Sequence, residues 1–305
     1  MPGTSVPDIL SQPGWSGGDG GYTTVRKNLL YTAAATVLAV AGGVVVASPA
    51  AAADVEPPVV MIGVLPAPTT PEAIEDVDVP DPLVVANKAA AEAAVTREMT
   101  LLLADGITAP VPDESRVPAA DGDGGGGSGG APPAALKLTV RGAYQTTDYR
   151  CVPASGQTVL QTMGVTVSQN TLASEMHTTT NGTALTNAVR PLNRRESRNR
   201  YMYSNDTSSA NQLLNRIVVD VYNFKSSLIL GIQAAYAPWL PPGRFAGAHA
   251  IASYGYYSSS GGGAYIWDPY NGTYFGQSQN YGGSHAASIN GLWQANASLG
   301  GQLVW

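Results

Sequence analysis

The stretch Tyr144-Gln-Thr-Thr-Asp-Tyr-Arg-Cys-Val-Pro-Ala-Ser-Gly-Gln-Thr-Val-Leu-Gln-Thr-Met-Gly164 holds Cys151, the only cysteine in the 305-residue chain. Pro153 follows two residues later, where its fixed φ and missing N–H suit the first turn of a helix. Ala154, Val159, Leu160 and Met163 then give an apolar face at helical spacing, and Gly164 is a natural stop. The pattern predicts a helix that opens at Cys151. Unpaired N–H groups and the positive end of the dipole at such a terminus favour a thiolate over a thiol. Gln145, six residues upstream, carries an amide able to donate a hydrogen bond. A free cysteine is most often a small buried hydrophobe without chemistry. Cys151 departs from that pattern because it opens a helix, has a donor amide just upstream, and lies in a chain that reads as exported. An unpaired thiol in an oxidising compartment needs a reason to be there.

Working outward, 44% hydrophobic residues suffice for a core, but 35 Gly, 22 Pro and only 12% charged residues imply that part of the chain is not compact fold. One cysteine excludes an intrachain disulfide framework. With only His177, His249 and His285 beside it, no structural zinc site is expected, nor any other metal or cofactor. The formal charge of −6 is unevenly spread. Residues 54–135 carry 14 acids against Lys88, Arg97 and Arg116, whereas residues 136–305 carry six acids against 11 bases. An acidic segment precedes a mildly basic one.

Arg26-Lys27 precedes an apolar run from Leu29 to Ala47, followed by Ser48, Pro49 and alanines up to Ala53. Basic, apolar and small-residue regions in that order read as an export signal over residues 1–53, cleaved near Ala53. The run is just long enough to span a membrane, but the alanines after it favour cleavage, so a secreted or cell-surface protein without stable membrane association is expected. Residues 1–24 are Gly/Ser/Pro-rich and unlike the start of a signal, which points to Val25 as the true start. Residues 54–135 read as an acidic spacer or pro-segment. Within it, Leu83 to Ala104 predicts one Ala-rich helix stopped at Gly106. Asp121 to Gly130 is a flexible linker, not a phosphate loop, since it lacks the Gly-Lys-Ser/Thr ending. As a pro-segment, its helix and negative charge would dock on the basic domain and mask its cleft.

Residues 136–305 have the length of one domain. Leu136 to Val140 predicts a leading strand, followed by the Cys151 helix. Further helices are expected from Ser168, from Gly182-Thr183, and from Ser208 to Phe224, with a short strand at Tyr201 to Ser204. Strands at Leu228 to Ile232, Ala248 to Tyr257 and Ala264 to Trp267 follow, the last two joined by a Ser/Gly turn. Helices first and strands second is an α+β arrangement. In an antiparallel hairpin, His249 and Asp268 arrive at the same end of the sheet. An imidazole there can take a proton from Cys151, and a carboxylate can orient the imidazole. Gln145 and the Cys151 N–H would stabilise an oxyanion.

Taken in order, Gln145, Tyr149-x-Cys151-x-Pro153-Ala154, His249 and Asp268 resemble papain-like cysteine peptidases. The nearest likeness is to the peptidase domain that processes double-glycine leaders of bacteriocins, and to its secreted, stand-alone relatives. Val167-Ser-Gln-Asn-Thr-Leu-Ala-Ser-Glu-Met-His-Thr-Thr-Thr-Asn-Gly-Thr-Ala-Leu185 is similar to the region after the nucleophile helix in those relatives. The resemblance covers roughly residues 140–305. It implies a papain-like α+β fold, Cys151 as nucleophile, His249 as general base and acid, Asp268 as orienter and Gln145 in the oxyanion hole. The chain departs from the pattern at Val152, where many relatives have Gly, and at Ala248-His249-Ala250, which replaces Gly-His followed by an aromatic. It carries no transporter, so the leader-peptide substrate does not carry over.

Other residues offer alternatives. His285 and His177 read as solvated loop residues, and Asn271 could orient His249 in place of Asp268. Ser155 lies inside the first helix, without the strand–turn context of a nucleophile elbow. Arg190, Arg194, Arg195, Arg198 and Arg200 form a basic cluster, most simply a solvated face and otherwise a binding patch for an anionic wall polymer or for the acidic segment. Tyr254, Tyr256, Tyr257 and Tyr270 read as sheet packing. No nucleic-acid motif is present. The expected activity is hydrolysis of peptide bonds in a peptide or protein substrate. The rival readings are a cell-wall peptide hydrolase or acyl transferase on the same fold, and an inactive surface binding module.

Overall fold

The computed structural model describes residues 60–61, 80–106, 119–120 and 131–305. The export signal, the Val25 start and the Gly-rich linker lie outside those residues. The first described elements are β1 (Val60–Met61), α1 (Pro82–Gly106) and β2 (Ala119–Ala120). Helix α1 matches the expected Ala-rich helix to within two residues at each end. It has a buried side: Val95 and Met99, four residues apart, enter the core, and Lys88 is buried a turn and more before them.

β3 (Ala135–Leu138) leads to α2 (Cys151–Thr162), which opens at the cysteine as its sequence requires. Beyond its end Gly164 adopts φ +78°, and the Val165 N–H reaches back to the Leu160 carbonyl at 3.0 Å. That is a glycine C-cap closing a helix. α3 (Gln169–Glu175) starts behind Ser168, whose hydroxyl accepts from the Thr171 N–H at 3.0 Å. The helix expected from Gly182-Thr183 starts later, as a 3-10 turn over Leu185–Ala188 that continues into α4 (Val189–Asn193). Its would-be first residues are held in a turn, with Thr179 and Gly182 bridged and the Thr178 and Thr183 hydroxyls 2.7 Å apart. β4 (Tyr203–Ser204) and α5 (Ala210–Val218) follow, α5 capped by Ser209 and extended by a wider π-type turn over Val219–Asn223.

The C-terminal half contains β5 (Leu228–Gln233), β6 (Phe245–Ala246), β7 (Ala248–Tyr257), β8 (Gly263–Asp268), β9 (Gly283–Ser288), α6 (Ile289–Ala297) and β10 (Leu303–Val304). Strand β7 is the axis of the sheet. It pairs antiparallel with β5 from Leu228↔Ser253 to Gln233↔Ala248, with β3 further along the same edge, and with β8 on its other edge. β9 adds to β8, and β10 joins β5 to β4. β1 lies parallel to β6, Val60 beside Phe245 and Met61 beside Ala246.

Side chains alternate across β7, and the two faces feed two cores. Ala250 and Ala252 pack with Val159 and Leu160 of α2 and Leu172 of α3. Ile251 packs with Leu213, Leu214 and Ile217 of α5 and Leu292 of α6, and Val95 and Met99 of α1 join the same cluster. The sheet is therefore covered by helices on both faces, and the antiparallel hairpin β7–β8 runs through the middle. The four tyrosines read as sheet packing are all buried.

Candidate active site

Cys151 is the first residue of α2 and fully buried. Arg150 occupies the cap position without any side-chain cap, and its carbonyl accepts from the Ala154 N–H at 3.0 Å. By their place in the first turn, the N–H groups of Cys151 and Val152 have no intrahelical partner, and Pro153 has no N–H to satisfy. The helix start is thus open toward negative charge. One turn on, the Ser155 hydroxyl donates to the Ala250 carbonyl at 3.0 Å. This bond ties the first turn of α2 to the residue after His249, so the helix terminus and the start of β7 cannot drift apart independently. Val152 points into the core and is fully buried, so its bulk is absorbed there.

The β7–β8 register places Ala252 opposite Trp267. Continued by one step, it sets Asp268 across from Ile251, a diagonal neighbour of His249 on the same face. His249 Nε2 and Asp268 Oδ1 are 2.7 Å apart, and both side chains are fully buried. His249 Nδ1 makes no hydrogen bond to another described residue. Burial alone would lower the pKa of the ring. The charge and hydrogen bond of Asp268 outweigh it, and smaller contributions from Cys151 add to the rise, to about 10. Cys151 thus acts on the ring electrostatically, while no hydrogen bond between its sulfur and Nδ1 is formed. Asp268 moves the opposite way. Burial raises it, but His249, the Trp239 indole and the Tyr270 N–H together hold it below the ordinary carboxylate value. At neutral pH the pair is imidazolium and carboxylate.

Gln145 enters the same region from the loop before α2. Its backbone N–H donates to the carbonyl of Pro269, next to Asp268, at 2.8 Å. Its side-chain Nε2 donates to Thr147 O at 2.8 Å, which also accepts from the Arg150 N–H at 3.4 Å. The side chain is fully buried. One N–H of its amide is engaged and a second is left to donate. The loop is pressed onto β8 by Gly142, whose φ is +63° and where a Cβ would stand 2.2 Å from the Trp267 indole. Trp267 Nε1 in turn donates to the Ala143 carbonyl at 3.1 Å.

The remaining candidates separate cleanly. His177 is an exposed turn residue with φ 52°. His285 is not a solvated loop residue: it belongs to β9, is half-buried, and its Nε2 bonds to the Tyr281 carbonyl at 2.9 Å. The side chain hydrogen-bonded to His249 is that of Asp268, not that of Asn271. Ser155 faces β7 as an anchor. In the basic cluster Arg195 pairs with Glu175 at 2.5 Å and Arg198 with Glu196 at 2.8 Å, so these two guanidinium groups are already neutralised within the fold. Trp239 is the residue that sequence reasoning missed: its indole Nε1 donates to Asp268 Oδ2 at 2.8 Å. The signal available was an aromatic in a rigid loop, Ala237-Pro-Trp-Leu-Pro-Pro-Gly243. Among the described residues no group of three or more His, Cys, Asp or Glu is placed to hold a metal. Nor is any described helix long and apolar enough to cross a membrane.

A buried thiol at an uncapped helix start, tied to the strand of an imidazole–carboxylate pair, defines a papain-like α+β protein. The model of the Peptidase_C39 like family matches residues 137–300, and the chain belongs to that family, which points to a peptidase. Among solved structures it is similar to a C39-like peptidase from Bacillus anthracis (15% identity, 54% of this chain and 93% of that one, TM-score 0.39). It is also similar to the peptidase domain of Streptococcus ComA, a bi-functional ABC transporter involved in a quorum-sensing pathway (14% identity, 53% and 94%, TM-score 0.32). No curated protein matches.

Proposed function

We propose that the protein is an exported cysteine peptidase that hydrolyses peptide bonds through an acyl-enzyme on Cys151. The observation that carries this reading is the fully buried His249–Asp268 pair, charged at neutral pH, with Cys151 contributing to the raised pKa of the ring. With both side chains fully buried, the fixed charge acts with less screening than it would on the surface.

The chemistry follows from that arrangement. The Cys151 thiolate attacks the scissile carbonyl carbon, an S–C bond forms, and the π pair moves onto the carbonyl oxygen. The N–H of Cys151 and the free N–H of the Gln145 amide receive that oxyanion. As the C–N bond breaks, His249 Nδ1 gives its proton to the leaving amine. Water then loses a proton to the same nitrogen and attacks the thioester. The S–C bond breaks, releasing the acid and restoring the thiolate beside the imidazolium. Asp268 keeps Nε2 protonated, so Nδ1 is the nitrogen that trades protons. No cofactor takes part.

Export rests on the sequence of residues 1–53 alone, and N-terminal sequencing of protein from culture medium tests it, with a start near Asp54 expected. For the chemistry, the chain from Asp54 and its Cys151→Ala variant are incubated with a peptide library and the products compared by mass spectrometry. Cleavage products are expected only with the thiol present. Identical products from both would remove Cys151 from the reaction. Release of stem peptides from purified peptidoglycan, without cleavage of casein or a Gly-Gly peptide, would move the substrate to the cell wall.

A further inference from the structure

We propose that Trp239 is a positioning residue for the Asp268 carboxylate and that His285 holds Trp239 in place. The inference rests on the reading of Asp268 as the partner that orients His249.

Asp268 is fully buried, so its two oxygens depend on protein donors. Oδ1 takes two of them: the His249 ring at 2.7 Å and the Tyr270 N–H at 2.8 Å. Oδ2 is served by the Trp239 indole, 2.8 Å away. Two donors on one oxygen leave the carboxylate free to pivot about that oxygen, and the indole N–H fixes the plane. Without it a buried carboxylate oxygen loses its donor, and the group is drawn to swing away from His249 in search of another.

Trp239 is itself held. It sits in a tight turn, with the Ala237 N–H on the Ala234 carbonyl and the Leu240 N–H on that of Ala237, both at 3.1 Å. Its ring stacks on His285 with centroids 5.7 Å apart and planes 23° from parallel. His285 is fixed in turn by its bond to Tyr281 and by its place in β9, opposite Ile266 of β8. Asp268 closes β8, so the stack and the carboxylate share one pair of strands. The other charged and titratable groups around the carboxylate are His249, Cys151, Tyr270 and, beyond Tyr270, Arg244 and Tyr281.

The test replaces the N–H and keeps the ring. Ring-15N NMR titration of His249 and steady-state peptide hydrolysis are measured on the chain from Asp54, on Trp239→Phe, and on protein carrying benzothienylalanine at 239, an isostere without the N–H. The isostere covers the case in which Trp239→Phe does not fold. The His249 titration is expected to fall from its high value by about one unit as its partner loosens, and kcat by about tenfold with KM unchanged. His285→Ala is expected to move the titration in the same direction. A titration and kcat unmoved by loss of the N–H would overturn the role of Trp239, and an unmoved titration in His285→Ala would overturn that of His285. Absence of hydrolysis by the unaltered protein, with the NMR shift still present, would instead overturn the peptidase reading and leave the positioning of Asp268 standing.

Discussion

A buried imidazole without a partner sheds its proton readily, because burial disfavours the charged form. His249 does the reverse because Asp268 is 2.7 Å away and equally buried. The ring keeps its proton until about pH 10, so an alkaline limb near that pH is expected in the kcat/KM profile. Asp268→Asn removes the charge and leaves burial unopposed. The limb then falls toward or below the usual imidazole value, and activity at pH 7 drops by about a hundredfold or more. An unchanged profile would separate Asp268 from the reaction. The same pair leaves a signature in stability. His249, raised from 6.5 to about 10, contributes fully below 6.5, and the contribution is lost as pH rises through about 10. Asp268, lowered from 3.8, contributes above that value, and its contribution is lost as pH falls through the lower folded-state pKa. Thermal unfolding of the protein and of Asp268→Asn across that range is expected to diverge most between the two limits. The positions of Cys151, His249 and Asp268 were legible in the sequence because each sits at a readable boundary: a helix start, a strand start, a strand end. Trp239 was not, since a loop aromatic carries no periodic mark that would tie it to Asp268.

At the scale of elements, the geometry depends on how the loop before α2 meets β8. Gly142 lets that contact form, having φ +63° and no room for a Cβ against Trp267. Gly142→Ala is expected to cost on the order of 2–4 kcal/mol through strain and overpacking, and to lower kcat as Gln145 is displaced. Denaturant unfolding together with kinetics checks both. Loss of stability with full activity would show that the role proposed for Gln145 does not depend on this contact. The helix starts at Cys151 and Ser168 were readable from Pro and Ser at fixed offsets, and the helix expected from Ser208 begins one residue later, behind Ser209. β9 was not. Gly283-Ser-His-Ala-Ala-Ser288 has no β-branched or large aromatic residue, and forms a strand because β8 offers it an edge. For that reason His285 looked like a loop residue.

For the whole molecule, α1 belongs to the folded unit. Lys88 is 1% exposed, 2.9 Å from Asp220, and lies 5.0 and 4.8 Å from the ring centroids of Phe224 and Trp305. Burial lowers the Lys88 pKa and raises that of Asp220, each against the pull of the other. Such a pair adds little net stability, but removing one partner leaves the other charge buried alone. Lys88→Met is expected to cost about 3–5 kcal/mol by denaturant unfolding, while Lys88→Met with Asp220→Asn is expected to recover most of it. Equal losses in both would show that the lysine acts through packing alone. Composition hid this role. The acidic average of residues 54–135 suggested a spacer or a pro-segment, and alanine is the commonest residue of the helix, so its few core side chains carry little weight in the pattern. The 136–305 fragment is accordingly expected to fold poorly, because it lacks α1. Whether the acidic segment masks the cleft is tested by chains starting at residues 54 and 80, with faster hydrolysis expected from the shorter one at low salt and equal rates contradicting the idea.

The claim beneath all of this is that a sulfur, a ring and an acid act as one group. It is tested most directly by the alkylation rate of Cys151 with iodoacetamide at pH 6, in the intact protein and in His249→Ala. An isolated thiol is almost wholly protonated at that pH and reacts slowly. Burial of the sulfur slows both reactions, so the ratio is the readout: the intact protein is expected to react faster than the variant by about a hundredfold or more. Equal, slow rates in both would mean that the imidazole does not activate the sulfur, and the account would fail.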